Sequence, residues 1–92
     1  KLNSCGKAFY VKYFEKVLSS KIDDNLINEI NAKENIKTAK YRLNIIKNSI
    51  ENDYYKQMLE IILKSKRIDE NYKLKAKKIL YMFLLLEKVW KI

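Results

Sequence analysis

The chain has 92 residues, a formal charge of +9 and 48% hydrophobic residues, enough for one domain with one core and too apolar for a disordered chain. With no proline and one glycine, Gly6, it lacks the punctuation that β-hairpins and Gly-rich phosphate loops need. It has no histidine and one cysteine, Cys5, which excludes a zinc-type ligand cluster and an internal disulfide.

Asn3 or Ser4 is placed to cap a first helix reaching about Leu18, in which Tyr10, Phe14, Val17 and Leu18 recur at helical spacing. Phe9, Lys12, Tyr13 and Lys16 share another side. Aromatic and cationic groups together suit stacking on unpaired bases with phosphate contact. The frequent burial of aromatics favours the core for Phe9 and Tyr13 instead. Ser19 and Ser20 mark a break.

Asp23 and Asp24 favour a second helix start, with Leu26, Ile27 and Ile30 as its apolar side. From Asn35 onward Ile36, Ala39, Leu43, Ile46 and Ile50 follow a three-four spacing, so they form one stripe of a helix. In a single helix over residues 24–49 these two apolar sets would lie on nearly opposite sides, since each residue turns the chain by about 100°. Either the helix breaks near Asn31 or it is buried on two sides. Asn31 followed by Glu34 resembles a capping box and favours the break. Tyr41 and Ile45, which would join the side of Leu26 and Ile30 in a continuous helix, favour the alternative. We adopt the break.

The same region carries its bases in a pattern. Lys33, Lys37, Lys40, Asn44 and Lys47 fall at i, i+4, i+7, i+11 and i+14, and with Arg42 they give residues 33–48 five bases against one acid. A helix so lined is suited to following phosphates. With a turn at Asn31, residues 24–48 trace a short helix, a tight turn and a longer basic helix, the outline of a helix-turn-helix. Arg42 and Asn44 are then placed to touch base edges. Only one other arginine, Arg67, is present, so sequence preference is expected to be modest.

Asn52 or Asp53 is expected to start a further helix bearing Tyr54, Tyr55, Met58, Leu59, Ile61 and Ile62, and Asp69 to cap the last one. In that last helix Tyr72, Ala76, Ile79, Phe83, Leu86 and Trp90 form one seam, and between Leu80 and Leu85 apolar positions encircle it. Encirclement predicts burial by other helices, with a second copy as the remedy if one chain cannot cover it. The apolar run of residues 79–86 is far short of the roughly 20 residues of a membrane span. Surface anchoring, with Lys75, Lys77 and Lys78 before the run, is the lesser alternative.

These features predict an all-α fold, a bundle of four or five helices with the hydrophobic C-terminal helix at its centre. Residues 1–92 form one basic domain, standing alone or as a piece of a longer chain. A reducing, cytoplasmic setting is expected, with no cofactor. Catalysis is not expected, because the commonest general base is missing and Cys5 has no histidine to activate it. Asp23, Asp24, Glu29 and Glu34 suit helix dipoles better than a metal. The function expected first is nucleic-acid binding, to DNA before RNA, through Lys33, Lys37, Lys40, Arg42, Asn44 and Lys47, with Lys12 and Lys16 on the first helix. The alternative is a protein-interaction or oligomerisation module, facing an acidic protein surface or a second copy.

Overall fold

The structure, a computed structural model, describes residues 5–90, with side chains as far as Leu86. Among the described residues five helices follow one another: α1 Lys7–Ser19, α2 Asp24–Glu34, α3 Ala39–Glu51, α4 Tyr55–Lys64 and α5 Glu70–Trp90. There is no strand among the described residues, and the expected all-α bundle is what forms.

The helix boundaries are set by short polar residues. Asp23 accepts a hydrogen bond from the Leu26 N–H at 2.9 Å and opens α2, while Asp69 accepts one from the Asn71 N–H at 2.9 Å and opens α5, both N-caps as expected. α1 closes at Ser19, and Ser20 is extended. Gly6 precedes α1 with φ 90, a conformation that side chains disfavour. The proposed caps Asn3 and Ser4 lie outside the described residues.

The chain does break between the two apolar stripes, four residues later than Asn31. Asn35 sits in the left-handed region with φ 54, its N–H bonded to the Ala32 carbonyl and the Ile36 N–H to the Asn31 carbonyl at 2.9 Å. This is a Schellman close with asparagine where glycine is usual. Asn31 is therefore interior to α2, and the capping box with Glu34 does not form. Its Oδ1 instead accepts the Ala39 N–H at 2.9 Å and so caps α3 from eight residues back in the chain. Ile36 falls in the connection rather than in a helix, yet it still packs on the core.

α3 ends in the same way. Asp53 has φ 60, and the Tyr54 N–H reaches back to the Ser49 carbonyl at 3.0 Å. Asn52 and Asp53 thus terminate α3 instead of starting α4, which begins at Tyr55.

In the packed bundle α1 lies against both α3 and α5, α2 covers α3, and α4 bridges α3 and α5. Phe14, fully buried, meets Tyr10 at 5.6 Å between ring centroids, Tyr55 at 6.1 Å and Phe83 edge-on at 5.9 Å. One ring therefore joins α1, α4 and α5. Phe9 and Tyr13 are buried as well. Ser49, fully buried in the core, donates to the Ile46 carbonyl at 2.6 Å. Its single proton being committed there, the Tyr10 hydroxyl donates to Ser49 Oγ across 2.7 Å.

α5 enters the core by one side. Ala76 and Ile79 are buried, and Tyr72, Leu80 and Phe83 pack against them. Trp90, expected at the end of this seam, lies outside the described side chains. The wrapping expected around residues 80–85 is not provided among the described residues: α5 has α1 and α4 on one side, and Tyr81, Met82, Leu84, Leu85 and Leu86 are 40–63% exposed on the others.

Candidate nucleic-acid interface

Burial of Ala39, Leu43, Ile46 and Ser49 against the core fixes the rotation of α3 and turns the opposite arc outward. On that arc stand Lys40, Tyr41, Asn44, Lys47 and Asn48, all exposed, within about 120° of one another by helical geometry. Glu51, the one carboxylate there, approaches Lys47 at 3.8 Å. Both groups are more than half exposed, so this pair contributes little and does not hold Lys47 back. Lys37, exposed, lies in the connection before α3, and Lys33, also exposed, in the last turn of α2. The chain thus carries Lys33, Lys37 and Lys40 over the segment that leads into the N-terminal end of α3, the positive end of that helix's dipole.

The break at Asn35 means that the five-residue polar stripe read along one continuous helix does not exist as such. Its members are divided among α2, the connection and α3.

Arg42 stands apart from the outward arc. Its Nε donates to Thr38 Oγ1 at 2.9 Å, and its guanidinium lies 5.3 Å from the centre of the Phe9 ring. It is half-buried against α1, where cation–π contact and apolar cover hold it.

Lys12 is engaged as well: its Nζ donates to Glu34 Oε2 at 2.8 Å, and Tyr13 donates to the same oxygen at 3.0 Å. Lys16 is exposed. With Lys12, Lys33 and Glu29 it borders a groove of about 230 Å³ between α1 and α2. The stacking surface proposed for α1 loses its rings to the core, since Phe9 and Tyr13 are buried.

The Lys12–Glu34 contact shifts both groups. The hydrogen bond from Lys12 holds the Glu34 carboxyl below its usual value, burial opposing and the Tyr13 hydrogen bond assisting. The same bond raises the Lys12 ammonium above its usual range, with burial opposing it. For a carboxyl lowered on folding, the stabilisation is complete above the unfolded value near 4.5 and is lost as pH falls through the folded one. For an ammonium raised on folding, it is complete below the unfolded value of 10.5 and is lost as pH rises through the folded one. Urea midpoints should therefore fall as pH drops below 4.5, and Glu34→Gln should flatten that acid limb. Equal limbs in wild type and variant would show that the pair carries no pH dependence.

Cys5 is fully buried, and burial pushes its thiol up to about 11, which keeps it protonated and unreactive. Among the described residues no three of the acidic or sulfur ligands gather as a metal would require, and no helix is long and apolar enough to cross a membrane.

Sequence reasoning missed two members of the α3 arc, Tyr41 and Asn48. A continuous helix would put Tyr41 on the apolar side of Leu26 and Ile30; with the chain broken at Asn35 it is 57% exposed. The available signal was its place, between Lys40 and Arg42 and three residues before Asn44. No family model, curated protein or solved structure matches the chain.

Proposed function

We propose that this domain binds nucleic acid by laying the outward arc of α3 along it. Lys40, Lys47, Lys37 and Lys33 contact phosphates, while Tyr41, Asn44 and Asn48 face the bases. The carrying observation is that arc, which is basic, amide-bearing and aromatic, and which leaves the core untouched if it engages a ligand. An exposed helix fits the roughly 12 Å major groove of duplex DNA, whereas the deep, narrow groove of A-form RNA excludes it, so DNA is favoured. With Arg42 turned inward, affinity rests on phosphates and counterion release, and sequence preference is modest.

A helix-turn-helix comparison extends to the order of parts, a helix, a four-residue connection and a basic helix. The sharp asparagine-closed turn supports it.

The test is a salt-titrated binding assay against duplex DNA, single-stranded DNA and duplex RNA. Four phosphate contacts predict a slope of log affinity on log salt of about −3 to −4 for duplex DNA, or roughly a hundredfold loss between about 50 and 200 mM salt. Binding that ignores salt, or no binding to any of the three, overturns the proposal. A protein-interaction role draws its support from a different element, the exposed apolar side of α5.

A further inference from the structure

α5 leaves one long side uncovered. With about 100° of turn per residue, Leu74, Tyr81 and Leu85 align along it, and they are 56%, 57% and 63% exposed. Leu84 stands on the flank nearest α4, where Leu63, Leu80, Tyr81, Leu84 and Lys77 line a groove of about 400 Å³. Met82 occupies the other flank, 48% exposed. From Tyr81 through Leu86 no position is charged; Lys77 and Lys78 come about one turn before this run, and Glu87 and Lys88 follow it in the sequence.

That distribution selects the occupant. An acidic partner would find no counter-charge at the centre of this surface, only leucine, methionine and tyrosine. What matches an apolar stripe without charge at its centre is another of the same kind, and a second copy of this chain supplies one. Five large apolar residues about half exposed, Leu74, Tyr81, Met82, Leu84 and Leu85, offer on the order of 500 Å², so two copies would bury at most about 1,000 Å², the lower bound of a specific interface.

We propose that this side of α5 is the interface of an antiparallel homodimer. About a two-fold axis, Tyr81 of each copy lies against Leu85 of the other, and Lys77 and Lys78 fall at the rim, where their stems cover apolar surface and their charges stay in water. α1 packs against α3 and α5 in each copy, which keeps the lysines of α3 away from the contact. The net charge of +9 on each copy still opposes association. Salt therefore tightens this dimer, the opposite of its effect on phosphate binding.

Sedimentation equilibrium without nucleic acid, across about 1 to 500 µM protein, spans the weak affinities expected of an interface this small. The expected result is a rise from one chain mass to two, with more dimer at about 1 M than at about 0.15 M salt. Leu85→Glu changes an exposed position, so helical circular dichroism should be retained. Because the change enters twice across a two-fold axis, the dimer dissociation constant should rise at least about 30-fold. Tyr81→Glu serves as the second variant if Leu85→Glu loses helicity. Leu18→Glu, at an exposed apolar site on α1, should leave the dimer unchanged.

A monomer at every concentration, a dimer indifferent to both α5 variants, or a dimer that weakens with salt overturns the proposal. So does a monomer that binds phosphatidylglycerol vesicles through Tyr81 and Leu85, which would assign the surface to lipid. No arm contains nucleic acid, so failure here is separable from failure of the phosphate-binding proposal.

Discussion

Replacing Lys37, Lys40 and Lys47 together by glutamate is expected to weaken duplex DNA binding about a thousandfold at about 50 mM salt and to cut the salt slope from about −3 or −4 to about −1. Each neutralised phosphate releases close to one counterion, which is worth roughly tenfold in affinity at that salt concentration. Lys33 is left as the remaining contact. All three positions are exposed, and none packs in the core, so helix content and thermal midpoint should hold and the loss be attributable to charge. Arg42→Gln is the informative contrast. Its guanidinium covers Phe9, so that variant should act mainly on stability and leave the slope near the wild-type value. A triple variant that keeps the full slope would move the binding surface elsewhere on the molecule.

Phe14→Ala is expected to remove a large share of the folding free energy. Burial of this ring is complete, and Tyr10, Tyr55 and Phe83 from three helices close on it. Truncating such a residue costs about 3–5 kcal/mol, because the transfer energy is lost and the walls relax only in part. A chain of this length is stable by about 5–14 kcal/mol in total. The thermal midpoint should drop by at least about 12 °C, read by circular dichroism. A fall of less than about 5 °C would contradict the packing described for α1, α4 and α5.

The interior was legible where periodicity alone decides it. Tyr10, Phe14, Leu43, Ile46 and Ile79 stand at helical spacing, and all are buried. The corners were less legible, because Asn35 and Asp53 occupy left-handed positions that glycine normally advertises. In a chain with one glycine, the asparagines that start helices and those that stop them look alike. Asn31 went further astray: it caps a helix, but one that begins eight residues later, and only the folded turn brings the two together.

The candidate face divides along the same line. Lys40, Asn44 and Lys47 share an exposed arc because of spacing on one helix, and spacing is written in the sequence. Lys12 and Arg42 are engaged by Glu34 and Phe9, partners supplied by other helices, and no local pattern announces them. Ser49 reads as a surface residue until Tyr10, distant in sequence, supplies its hydrogen bond. The uncharged stretch of α5 announced a need for cover, and its length said nothing of whether one chain could provide it.

Because α1 completes its packing on α5, a ribosome releases Phe14 well before Phe83 can reach it. At roughly 5–20 residues per second the intervening stretch of about 70 residues takes some 4 to 14 s to emerge. During that interval Phe14 has α3 and Tyr55 of α4 for shelter and lacks the edge-on cover of Phe83. The order of synthesis thus leaves the side of α1 that faces α5 open until the last helix emerges.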